Sequence, residues 1–256
     1  MRLVVIGCSG SFAGPDSPAS CYLVQAEHEG RTWNLLLDLG NGALGGLQRH
    51  IGLDEVDGIV LSHLHPDHCA DLAGYFVVRK YMPGGALAGG LPVHGPAGTS
   101  DRLARLYGVD EPESLDDQFR FTDLREAQGF EIGPFSITPY AVNHPVEAYG
   151  VRVEADGAVL AYTGDTDDCP ALRTLCADAS LVLADSAFVD GRDDEMTGVH
   201  LSGSRAATAA VEAGGVKRLM LTHIPPWNDP EVCRSQAADV WHGDVELARA
   251  GQSYDL

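Results

Sequence analysis

A chain of 256 residues can bury a sizeable core, and 45% hydrophobic residues is ordinary for a globular protein. Its 17 Lys+Arg against 37 Asp+Glu leave a formal net charge of −20. Such a surface repels polyanions, which argues against long nucleic acid as a partner and favours small substrates.

The first apolar stretch lies in "MRLVVIGCSGS". An early Arg2 and Cys8 resemble a lipoprotein signal, but the run Leu3 to Ile6 is short of the roughly 7–15 residues of a signal core. It reads as a strand. "CYLVQA" and "WNLLLDL" read as two more, joined at a turn on Glu29-Gly30, and "GALGGLQRHIG" as a short helix. "DGIVLSH" reads as a buried strand ending on His63, and "PDHCADLAGYFVVRKYM" as a helix opened by Pro66 and Asp67. A glycine-rich connection around one short strand and a helix over roughly 98–107 follow.

The second half uses the same grammar. "FEIGPFSITPYAVNH", "AYGVRVEAD" and "AVLAYTGD" read as antiparallel strands with turns at 132–134 and 156–157. "ASLVLADS" and "VKRLMLTH" read as buried strands separated by the helix "SGSRAATAAVEAGG", closed by Gly214-Gly215. Two packed β-sheets with helices outside are expected. No linker interrupts the pattern, so residues 1–256 read as one domain. No apolar run reaches the ~18 residues of a membrane helix. Six scattered cysteines without a CxxC pair read as reduced thiols, and a cytoplasmic location is expected.

Metal-ligand residue types sit just past the ends of these strands: His63, His144, Asp165, Asp185 and His223. Loops at strand ends are where a rigid scaffold presents chemistry. The densest cluster is "SHLHPDH", residues 62–68. His63 and His65 are two apart on an extended segment, so both rings can face one metal. Asp67 and His68 lie past the bend at Pro66 and can serve a second. Neutral imidazole with carboxylate suits Zn²⁺ first, and also Mn²⁺ or Fe²⁺.

With His144 in "NHPVEAYG", Asp165 in "TGDT" and His223 in "LTHIPPW", this motif resembles the metallo-β-lactamase superfamily over nearly the whole chain. The resemblance implies an α/β fold, a four-layer αβ/βα sandwich, with two divalent metal ions between the sheet edges. It implies His63, His65 and His144 on one metal, Asp67, His68 and His223 on the other, and Asp165 bridging. Such a pair of ions would supply an activated water as the nucleophile.

Three features narrow the substrate. His200 in "TGVHLSG" resembles the extra histidine that tRNase Z-like phosphodiesterases place near the leaving oxygen, where a proton or hydrogen bond helps an alkoxide depart. Asp185 matches the position of its glutamate partner but is one methylene shorter, so either the backbone compensates or the pairing is weaker. The catalytic set implied is therefore His200, Asp185 and Asp67. Third, only 20 residues separate His144 from Asp165, an interval that holds a long tRNA-binding arm in typical bacterial tRNase Z. Together with the charge, this disfavours tRNA.

"VIGCSGSFAGPDSPASCYLV" and "LMLTHIPPW" look similar to actinobacterial proteins linked to 3′,5′-cyclic nucleotide hydrolysis, notably of cAMP. The expected activity is hydrolysis of a small cyclic phosphodiester. The rivals are a tRNA-processing nuclease, a thioester or lactam hydrolase, and a metal-stabilised nucleotide sensor. The oligomeric state stays open, a homodimer being common in this branch. Among weaker candidates, Trp227 reads as either a base-stacking ring or loop packing, Ser9 or Ser11 as a substrate contact, and Arg79 and Lys80 as solvent-facing charge. Asp38 reads as an outer-sphere support of the ligands.

Overall fold

Strands that are apolar on both faces must be covered on both sides. A computed structural model, describing residues 1–87 and 89–256, shows how that cover is arranged. In chain order its strands are β1 (Arg2–Gly7), β2 (Cys21–His28), β3 (Arg31–Leu37), β4 (Gly58–Val60), β5 (Leu91–Gly95), β6 (Phe119–Asp123), β7 (Phe130–Ile132), β8 (Phe135–Ala141), β9 (Tyr149–Ala155), β10 (Ala158–Tyr162), β11 (Leu181–Asp185), β12 (Leu219–Thr222), β13 (Val245–Leu247) and β14 (Ser253–Asp255). The helices are α1 (Ala43–Leu47), α2 (Pro66–Cys69), α3 (Leu72–Tyr81), α4 (Thr99–Tyr107), α5 (Ala171–Cys176), α6 (Gly203–Ala213) and α7 (Pro230–Ala238).

The strands form two seven-stranded sheets, ordered β14-β1-β2-β3-β4-β5-β6 and β13-β12-β11-β10-β9-β8-β7. Each begins with antiparallel hairpins and continues with parallel strands from β3 or β10 onward. The period-2 alternation of strand side chains sorts the residues between layers. Leu3, Val5, Tyr22, Val24, Leu35 and Leu37 face the second sheet and meet Phe135, Ile137, Val151, Val153, Leu160 and Leu183. Their neighbours Val4, Ile6, Cys21, Leu23 and Leu36 face outward onto Leu47, Leu72, Tyr75, Phe76 and Leu103 of α1, α3 and α4. On the far side Ala161, Val182, Ala184 and Leu221 pack on α5, α6 and α7. The order helix, sheet, sheet, helix is the expected four-layer sandwich.

Several local expectations need correction. The helix expected from Pro66 to Met82 is two helices, α2 and α3. The segment after β3 crosses at the break: Leu39 N–H donates to His68 O, Asp71 N–H donates to Leu39 O, and Asp71 Oδ2 accepts from Leu44 N–H. Only a glycine fits at position 40, where a Cβ would stand 1.9 Å from Asp67 O. Arg79 is buried rather than solvent-facing, because its guanidinium donates to the carbonyls of Gln118 and Gly89 and ties α3 to the turns flanking β5 and β6. The six cysteines are unpaired. Among the described residues, no helix is long and apolar enough to cross a membrane.

Candidate metal centre

The topology brings strand ends from both sheets to one edge. His63 and His65 follow β4, Asp67 and His68 lie in α2, and His144 follows β8. Asp165 follows β10, Asp185 ends β11, and His223 follows β12. Hydrogen bonds join the sheets beneath the site, among them Tyr149 N–H donating to Ser62 O and the hydroxyls of Tyr22 and Thr222, which lie 2.6 Å apart. His223 itself adopts φ +56°, a left-handed conformation that costs free energy and concentrates at functional sites.

The seven residues expected as ligands collect in two groups, His63/His65/His144 and Asp67/His68/Asp165/His223. His65 Nδ1 lies 2.9 Å from His63 Nε2 and 3.2 Å from His144 Nε2. His223 Nε2 lies 3.2 Å from both His68 Nε2 and Asp67 Oδ2, and 3.4 Å from Asp165 Oδ2. Asp165 Oδ1 lies 3.2 Å from His68 Nε2 yet makes no hydrogen bond of acceptable geometry. Donors around a tetrahedral ion at about 2.1 Å stand roughly 3.4 Å apart, so these spacings and the orphaned oxygen fit cations among them. Protons alone fit poorly: His65 Nδ1 faces two ring nitrogens at once, and one N–H bond cannot serve both.

The electrostatics agree. Burial, with repulsion from neighbouring imidazoles, pushes His63 and His65 down, and burial does the same at His144, leaving lone pairs for a metal. In the second group burial opposes ionisation but is outweighed. Asp165 and Asp38 raise His68, and Asp165 with Asp185 and Asp67 pushes His223 up to about 10. The carboxylates respond in kind: despite burial, His223 and His68 hold Asp67 well below the usual range, and the same rings with His63 hold Asp165 there. The carboxylates that favour a positive charge on these two rings would favour a metal cation in the proton's place.

Asp38 organises the floor of the site. Fully buried and at φ +60°, its Oδ1 accepts from Ser62 N–H at 2.7 Å, and its Oδ2 accepts from Ser62 Oγ, His68 Nδ1 and Tyr162 Oη at 2.7–2.8 Å. The bond to Nδ1 fixes the tautomer and turns His68 Nε2 toward Asp165. Asp38→Ala is expected to weaken metal binding about 10–100-fold and to cost a further ~1–3 kcal/mol of stability from orphaned donors. Competition with a chromogenic chelator and thermal melting read the two effects separately.

His200 stands at the edge of this cluster. Its Nδ1 lies 2.9 Å from Asp185 Oδ2, so the shorter side chain does reach, and the backbone N–H groups of Thr166 and Ala187 hold the carboxylate in place. Burial works against the charged imidazole, but Asp185 and then Asp165 raise it. Phe188 meets the ring edge-on at 5.2 Å. Trp227 is exposed beside Phe12, Ser11 N–H donates to His223 Nε2 at 3.3 Å, and Ser9 bridges to Ala19 and Ile224. Among the described residues, His28, His50, His94 and His242 join no metal-binding group.

Sequence reasoning missed Asp167. Its Oδ2 accepts from Gly198 N–H at 2.7 Å, its Oδ1 accepts from Arg205, and its own N–H donates to Asn143 O. It thereby ties the loops of His144, Asp165 and His200 together, and His144 Nδ1 donates to Val199 O at 2.9 Å in the same knot. The signal was present as a second aspartate two residues beyond Asp165.

Residues 33–224 match the family model described as a β-lactamase superfamily domain. An uncharacterised protein of Mycobacterium leprae is 40% identical over 262 residues, covering 100% of this chain and 89% of the relative. The probable metallo-hydrolase YhfI of Bacillus subtilis is 29% identical, with 98% of each chain covered. Ribonuclease Z of Mycobacterium marinum is 27% identical over 96% of this chain and 95% of its own. Among solved structures, YhfI superposes with a TM-score of 0.84 over 99% of both chains at 25% identity. The short form of human tRNase Z gives 0.76 over 100% and 99% at 20%. A diphosphatase from the PhnP family gives 0.74 over 100% and 97% at 18%. The chain belongs to the β-lactamase superfamily and is a hydrolase of the metallo-β-lactamase fold.

Proposed function

We propose that this hydrolase is a two-metal phosphodiesterase that opens a small cyclic nucleotide, with 3′,5′-cAMP the preferred candidate. His63, His65 and His144 would hold one ion, Asp67, His68 and His223 the other, and Asp165 would serve both. Zn²⁺ suits these donors best, while Mn²⁺ and Fe²⁺ also match imidazole with carboxylate. When bound, the ions supply an activated water and offset charge on the phosphate oxygens.

The observation that carries the reading is His200. Asp185 takes its Nδ1, so Nε2 is the ring's free nitrogen, and the ring lines a cavity of about 290 Å³ beside the ligand cluster. A proton held there can pass to the departing ribose oxygen, the step a phosphodiester needs and a good leaving group does not. Asp185 keeps the ring oriented and stabilises its charged form.

The ribonuclease Z relative favours a second reading, tRNA processing. The interval from His144 to Asp165 speaks against it, since β9, β10 and the tight turn at Asp156-Gly157 fill most of it, leaving no room for an arm. The net charge of −20 adds to that. The test is a panel of 3′,5′-cAMP, 2′,3′-cAMP, an activated aryl diester, a thioester and precursor tRNA, offered to metal-loaded protein. Cyclic-nucleotide turnover at kcat of about 1 s⁻¹ or more is expected. Turnover of the aryl diester alone would remove the cyclic-nucleotide claim, and efficient cleavage of precursor tRNA would replace it with the second reading.

A further inference from the structure

Three of the nine large hydrophobic side chains exposed among the described residues gather at one place beside the metal centre: Trp227 at 63%, Met196 at 49% and Phe12 at 42% exposure. Phe12 and Trp227 come from loops 215 residues apart, after β1 and after β12, yet their ring centroids lie 5.1 Å apart. Met196 and Trp227 line the 290 Å³ cavity together with Phe188, Pro225, Ser11 and His200. Buried Phe188 lines it and is edge-on to His200, which lines it too, so the apolar cavity and the reacting centre share a boundary.

Apolar side chains clustered in water are costly unless something covers them. On a chain carrying −20, an anionic ligand gains nothing from the outer surface by charge and must be held by contact. A concave apolar wall with a few fixed polar groups is the usual form of a small-molecule site. The polar group here is Arg192, whose guanidinium donates to both Asp193 oxygens at 2.6–3.0 Å and to Asn228 Oδ1 at 2.8 Å, while Asn228 Nδ2 donates to Ala187 O. Neutralised by Asp193, Arg192 offers a flat polar edge rather than a phosphate site. The volume lies near the lower bound of about 300 Å³ for ligand pockets, which suits one ring system and not a run of nucleotides.

We infer that this cavity is the base subsite of the enzyme: a nucleobase stacks on Trp227, backed by Phe12, with Met196 and Phe188 closing over it. This sets specificity for base-bearing phosphodiesters and rests on the phosphodiesterase reading above. Stacking is tolerant of base identity because every base has a π-face, and its energy corresponds to about tenfold or more in affinity. Trp227 is a specificity residue, and its exposure makes Trp227→Leu compatible with folding.

The test is calorimetric titration of the full-length, metal-loaded protein with adenosine 5′-monophosphate and with ribose 5-phosphate. Wild-type protein is expected to prefer the nucleotide, and Trp227→Leu to reduce that preference about tenfold, with Trp227→Phe restoring most of it. An unchanged preference in Trp227→Leu overturns the assignment. So does a shift of the variant's sedimentation without any change in nucleotide affinity, since the patch would then cover a second copy of the chain. Trp227-dependent nucleotide binding with no cyclic-nucleotide turnover supports the base subsite while removing the proposed reaction. Turnover with an unaltered KM in Trp227→Leu does the reverse.

Discussion

His200→Ala is expected to lower kcat/KM for a phosphodiester by about 10²–10⁴-fold while leaving the metal content unchanged. The expectation rests on where the ring's atoms point. Nδ1 belongs to Asp185 at 2.9 Å and lies 4.0 Å from Asp165 Oδ2, so it is occupied by a hydrogen bond before any ion can claim it. His200 could still be drawn into a ligand group with Asp165, Asp185 and His223, whose donor atoms are close enough. The two roles separate cleanly in one experiment. Metal analysis alongside steady-state kinetics gives full metal with a slow enzyme if His200 moves a proton, and a missing ion if it is a ligand. An activated aryl diester, whose leaving group needs no proton, should lose far less rate than cAMP in the same variant. Asp185→Asn should show part of the same defect, because it leaves the ring in place without its charged partner.

The second large effect is expected at Asp165. Among the described residues its carboxylate alone faces both ligand groups: Oδ2 stands 3.7 Å from His63 Nε2 and 3.4 Å from His223 Nε2, and Oδ1 stands 3.2 Å from His68 Nε2. Asp165→Ala should therefore strip at least one ion and reduce the rate beyond the roughly 10–100-fold that loss of an outer-sphere partner such as Asp38 costs. Plasma mass spectrometry of the purified variant reads the ion count. Thermal melting with and without added Zn²⁺ tells loss of metal from loss of fold, because an ion that binds only the folded state raises the midpoint in the wild type and much less in the variant.

Much of this site is written locally. The ligands fall at the ends of apolar runs because the buried strands must be apolar and the chemistry must lie where they stop, as at "LVLAD" before Ser186 and "LMLT" before His223. The hairpin at Glu29-Gly30 is equally local, with φ of +50° and +81°. What stayed hidden depends on partners distant in sequence. β13 and β14 are three-residue edge strands with polar members, and nothing marks them as strands except the neighbours they pair with. The break between α2 and α3 exists because the chain after β3 needs the carbonyl of His68, and Arg79 is buried because carbonyls from two other turns await it. Asp38 was legible as a supporting residue but not as the acceptor of four bonds, and the pairing of Phe12 with Trp227 joins loops that no motif connects.

The ligand cluster and His200 are proposed to open a small cyclic diester together. The most direct measurement of this is the initial rate of 3′,5′-cAMP hydrolysis by the metal-replete protein, set beside cleavage of precursor tRNA at the same enzyme concentration. Conversion of cAMP to 5′-AMP is expected to vanish on chelation and to return with Zn²⁺ or Mn²⁺, with little cleavage of the tRNA. No turnover of cAMP, together with efficient cleavage of the tRNA, would contradict it.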